Sequence, residues 1–95
     1  MKKTMKVLDV LCVVRFLCYL ETDIGTGEKE YRLVMLFPGK DSYGYPTKHR
    51  KTIGLFEFFG DMLATVHDMY RVYINHKPYN AVISWCESFD RRKPY

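Results

Sequence analysis

The sequence predicts a small α+β domain: one small antiparallel sheet in β-β-α-β order, opening with an N-terminal hairpin and packed by one long amphipathic helix. Three observations predict it. Two apolar-rich stretches that alternate in character flank a glycine-bearing turn at residues 23–28. Apolar residues between Thr52 and His76 recur at helical spacing. A short apolar run, Ala81–Cys86, closes the chain.

The first element is Met5–Thr22. From Val10 onward one face reads Val10, Cys12, Val14, Phe16, Cys18, Leu20, and the other carries Leu11, Val13, Arg15, Leu17, Tyr19, Glu21. A strand apolar on both faces belongs inside a sheet or between two layers. Its first half, Met5–Cys12, also fits a short helix. Asp23-Ile24-Gly25-Thr26-Gly27-Glu28 is a turn, its glycines free to take positive φ. The Gly-x-Gly pair lacks the third glycine and the following helix of a dinucleotide-binding fingerprint. Lys29–Phe37 is the second strand, with Tyr31, Leu33, Met35 and Phe37 on one face. Together the two strands make an antiparallel hairpin.

Pro38–Lys51 reads as a long loop, and it is the first candidate site. Loops of this length without regular structure are often functional. It carries Lys40, Tyr43, Tyr45, Lys48, His49, Arg50 and Lys51. Its cations lead into the expected start of the next helix, where free N–H groups favour a phosphate or carboxylate. Tyr43 and Tyr45 are suited to stacking on bases. The competing reading is a solvated loop whose lysines keep the protein soluble.

Thr52–His76 is the predicted helix. Phe56, Phe59, Leu63, Val66, Tyr70, Tyr73 and Ile74 form its stripe, with Glu57, Asp61, Asp68 and Arg71 opposite. Thr52 is the expected N-cap, and Pro78 lies beyond the end. Tyr70–Ile74 is rich in β-formers and fits a strand as an alternative. Ala81–Cys86 is the expected last strand. The tail from residue 90, with Arg91 and Arg92, is basic and expected to be flexible.

Ninety-five residues bound the chain to a single domain, and 47% hydrophobic residues suffice for a core. The net charge is +4, and residues 40–52 alone carry +3. Three cysteines without metal-type spacing read as reduced, buried side chains. Lys6, Asp9 and Arg15 interrupt the N-terminal apolar run, so neither a secretion signal nor a membrane span is expected. The expectation is a cytoplasmic protein.

No nucleophile elbow, phosphate loop, CxxC or HExxH pattern occurs, so no catalytic residue, metal or cofactor is expected. His67 sits at the edge of the apolar stripe, where a structural role is the commoner one. The function expected is a non-enzymatic interaction module, a regulator or inhibitor that binds a larger protein or dimerises. Leu11, Val13, Leu17 and Tyr19 motivate it, because one helix leaves one sheet face uncovered. The alternative is a nucleic-acid or nucleotide binder using residues 40–51 together with Arg91 and Arg92.

Overall fold

In a computed structural model, which describes residues 1–90, the chain forms a four-stranded antiparallel sheet followed by two helices. The strands are β1 (Lys2–Leu11), β2 (Arg15–Asp23), β3 (Lys29–Lys40) and β4 (Pro46–Phe56), paired in sequence order. Helix α1 (Phe59–Met69) runs into a π-helical turn, Tyr70–Ile74, and α2 (Tyr79–Ser88) follows. The α+β class and the antiparallel hairpin match expectation. The order is β-β-β-β-α-α, which corrects the β-β-α-β reading.

Four differences produce that correction. The single strand Met5–Thr22 is two strands, and its first half is β1 rather than a short helix. The chain reverses through Cys12-Val13-Val14, where the Cys12 N–H donates to the Val14 carbonyl at 2.9 Å. No glycine or proline announces this turn. The expected loop Pro38–Lys51 is largely strand: it holds the end of β3, a five-residue tip and the start of β4. The helix predicted from Thr52 starts at Phe59, because Thr52-Ile53-Gly54-Leu55-Phe56 completes β4. A register shift opposite Leu33 and Val34 leaves Ile53 buried against the core. Finally, Ala81–Cys86 is helical. Val82 and Cys86, four residues apart, are both fully buried, so the helical period decides the run.

The β2–β3 turn forms as its residues predict. The Asp23 carboxylate accepts from the Gly25 N–H at 2.9 Å and the Thr26 N–H at 3.3 Å, and Gly27 takes φ 77°.

Both helices lie on one face of the sheet. Phe16, Cys18, Leu33, Met35, Phe37 and Ile53 point toward them and meet Met62, Val66, Met69, Ile74, Val82 and Cys86. The π-helical turn ends with the Asn75 N–H donating to the Tyr70 carbonyl at 2.7 Å, a five-residue step that widens the helix. His76, at φ 61°, then turns the chain toward α2. Tyr73 and Trp85 stack across this turn at 4.7 Å, nearly parallel, and Phe89 meets the indole edge at 6.0 Å. Burial raises the Cys18 and Cys86 thiols to about 11, which keeps both protonated and unreactive.

Candidate functional site

Among the described residues the second face of the sheet carries no helix, as the sequence reading required, but it is not an apolar patch. Leu17 and Val34 lie on it and are nevertheless buried, at 5% and 0% exposure. Their register neighbours on this face are Arg15, Arg32 and Arg50, whose long stems can cover apolar atoms while their heads reach water. Those heads are organised. Arg15 grips Asp9 through two hydrogen bonds of 2.7 and 2.6 Å, and Lys6 adds a third at 3.1 Å. Arg32 pairs with Glu21 at 2.5 Å, with Lys2 at 3.5 Å from the same carboxylate. The Arg15 side chain, followed by Lys6, holds the Asp9 carboxyl well below the usual range. Arg32 lowers Glu21 in the same way. Arg50 instead lies over the Tyr19 ring at 5.6 Å. Of the four residues expected to need a cover, Leu17 is buried and Tyr19 half-buried. Leu11 and Val13 stay exposed at the β1–β2 turn.

The residues of the predicted basic loop are brought onto one structure, the β3–β4 hairpin. Arg15 pairs with Leu36, so beyond that point β3 and β4 pair only with each other. The hairpin therefore projects past β2 as a two-stranded arm. Its tip is fixed by Asp41. The Asp41 carboxylate accepts from the Tyr43 N–H at 2.9 Å and the Tyr45 N–H at 3.0 Å, and the Gly44 N–H donates to the Asp41 carbonyl at 3.0 Å. Gly44, at φ 84°, supplies the left-handed residue such a tip needs. Tyr43 and Tyr45 leave this tip 85% and 69% exposed.

Strand alternation divides the basic residues. Lys40, Lys48 and Arg50 face the open side and are exposed. His49 and Lys51 face the helices and are half-buried. Lys51 Nζ donates to the Glu87 carbonyl at 2.5 Å and the Phe89 carbonyl at 3.4 Å, so it caps the end of α2. The His49 ring rests on Gly39 and lies 5.5 Å from Phe37. Lys51 and His49 are thus structural contacts. The expected anion site at a helix N-terminus does not form: Lys48–Lys51 lies within β4, and α1 begins eight residues after Lys51, beyond the other end of that strand. Arg91 and Arg92 lie outside the described residues.

The ends of the sheet differ in charge. Opposite the arm, a groove of about 600 Å³ is walled by Glu21, Asp23, Glu28, Glu30 and Glu57 with two lysines. An apolar groove of about 460 Å³ runs between β1 and α1, over Val10, Phe16, Leu63 and Val66. Sequence reasoning missed both, because each joins residues far apart in the chain. Among the described residues no group of three metal-binding side chains occurs, and no helix is long and apolar enough to cross a membrane.

Compared with protein-family models, curated proteins and solved structures, the chain matches none.

Proposed function

We propose that this protein is a non-enzymatic interaction module, a regulator or inhibitor, that engages a larger protein through the β3–β4 arm. The partner surface is acidic, to suit Lys40, Lys48 and Arg50. The observation that carries the reading is the tip itself. Two tyrosines stand largely in solvent on a turn whose backbone Asp41 already fixes. A rigid mount reduces the ordering cost of binding, and tyrosine and arginine are the residues that most often dominate interfaces.

The sheet's open face plays a secondary part. Its arginines at positions 15 and 32 are already paired with carboxylates, which leaves Arg50 and the arm lysines to meet a partner. Residues Lys48 and Arg50 beside exposed aromatics also favour a second reading, single-stranded nucleic acid stacked on Tyr43 and Tyr45.

One experiment separates the two. The tagged protein, Tyr43→Ala/Tyr45→Ala and Lys48→Glu/Arg50→Glu are compared for retention of a protein partner and for binding of a mixed-sequence oligonucleotide at rising salt. A protein partner lost by roughly 30-fold or more in the tyrosine variant supports the interaction reading. Oligonucleotide binding that falls steeply with salt moves the assignment to nucleic acid. Partner retention unchanged in both arm variants refutes the arm as the contact surface.

A further inference from the structure

The geometry points to a second contact surface, independent of the arm: the free edge of β1, which pairs with β1 of a second copy of this chain. Among the described residues β1 is hydrogen-bonded on one side only, to β2, so its outer backbone groups have no strand partner there. Beside that edge lies the apolar groove between β1 and α1, with Leu63 and Tyr70 exposed on its far wall. Met5, Leu11 and Val13 are exposed along the same edge or at its end.

The strand's own sequence says what fits there. Lys6 pairs with Tyr19 and Asp9 with Leu17, so both lie on the open face. Met5, Leu8 and Val10 pair with Leu20, Cys18 and Phe16, so they lie on the helix side. Val7, the extra residue of the register shift, also packs against the core. The shift thus moves the open face from even positions before it to odd positions after it. An antiparallel pairing of two β1 strands that runs across the shift and keeps both faces continuous must match even residues with odd ones.

One such register sets Lys6 opposite the second copy's Asp9, and by symmetry Asp9 opposite its Lys6. The pair that Lys6 and Asp9 already form within each chain, with Arg15 on the same carboxylate, then meets its reversed copy with opposite charges facing across the seam. The same register sets Met5 opposite Val10, Val7 opposite Leu8 and Thr4 opposite Leu11. Within residues 4–11 every pair is then of like polarity or opposite charge, apart from Thr4 and Leu11, while Lys2 and Lys3 extend past the end of the second copy's β1. Moving the register by two residues sets Lys6 against Val7 or Leu11. Centring it on Lys6 or on Asp9 opposes like charges. In the favoured register each copy's Met5 stands beside the other's Val10 on the helix side. Its flexible thioether chain is the group that enters the β1–α1 groove. The result is a two-fold dimer with one continuous sheet and two arms pointing in opposite directions.

The test is the solution mass across micromolar to millimolar concentration for four samples: the native chain, Lys6→Asp, Asp9→Lys, and the two variants mixed. In the favoured register each variant alone sets like charges opposite each other, whereas the mixture restores two opposite-charge pairs. The native chain should reach twice its 11.3 kDa. Each variant should dissociate roughly tenfold or more readily, and the mixture should recover the dimer. Met5→Asp, at an exposed position, should also dissociate it, and circular dichroism confirms that each variant is folded. A native chain that stays at its single-chain mass overturns the proposal, as does a dimer unmoved by Lys6→Asp and Met5→Asp. Tyr43→Ala/Tyr45→Ala should leave the dimer intact, so failure of this surface and failure of the arm are distinguishable.

Discussion

Replacing Gly39 with alanine tests whether His49 is a structural residue, and the sign of the effect depends on the partner. Gly39 does not have positive φ, so its backbone accepts any L-residue. A methyl group there would nevertheless lie 2.1 Å from His49 Cδ2 and 2.3 Å from Nε2, far inside van der Waals contact. The ring must therefore leave its seat against Gly39 and Phe37. Overpacking of this kind costs about 1–3 kcal/mol, and a half-buried, rotatable ring belongs at the lower end. Against it, Gly→Ala at a compatible position gains about 0.4–1 kcal/mol by restricting the unfolded chain. The net expectation is a loss of up to about 0.6 kcal/mol, or at most roughly 2–5 °C in Tm for a domain of this size. In a His49→Ala background the obstacle is gone, and the same substitution should stabilise by about 0.4–1 kcal/mol. Denaturant melts of the four proteins give the coupling energy directly. A Gly39→Ala effect of the same sign and size in both backgrounds would refute the packing argument and free His49 for another role.

Two further outcomes follow from the polar contacts. Lys51→Met keeps most of the stem but removes the cap on α2, and should cost about 1–2 kcal/mol given the partial exposure of the site. Hydrogen exchange should rise first at the end of α2; uniform destabilisation without that local change would count against the capping role. Asp9 and Glu21 both have folded pKa values below their unfolded ones, so their contribution is present above the ordinary carboxylate range and lost as pH falls through the folded values. The native denaturation midpoint should therefore fall below about pH 4 with a slope that Asp9→Asn/Glu21→Gln reduces; equal slopes would exclude these pairs as its source.

The parts legible in the sequence were those with local punctuation. Asp23, Gly25 and Gly27 marked one turn, and the alternation of Tyr31, Leu33, Met35 and Phe37 marked β3. The Cys12–Val14 turn contains only residues that favour strands, so nothing local separates β1 from β2. Thr52–Phe56 reads as the start of the helix, with Thr52 as cap and Phe56 on the stripe, because a residue inserted by a register shift breaks the two-residue period there. Ala81–Cys86 is six residues long, short enough for either period to fit, and contact with the core decided it. The basic and aromatic residues of the arm are close in sequence, and the fold keeps them together on one hairpin. Their division was not readable, because it depends on strand alternation: Lys48 and Arg50 turn outward while His49 and Lys51 turn inward.

That division also explains why the two free edges of the sheet are suited to different work. β4 presents Lys48, His49, Arg50 and Lys51 in succession after Pro46, and a strand so charged and so begun resists pairing with another strand. Its outward cations therefore act through their side chains, on a partner that approaches the arm. β1 has charges too, but Lys6 and Asp9, bonded to each other within the chain, are of opposite sign and placed so that a reversed copy of the strand sets an opposite charge against each. A bulge and lysines blunt β1 toward strands in general while leaving one register, its own, without like-charge opposition. The same chemistry that protects one edge makes the other selective, and a dimer built through β1 leaves both arms free.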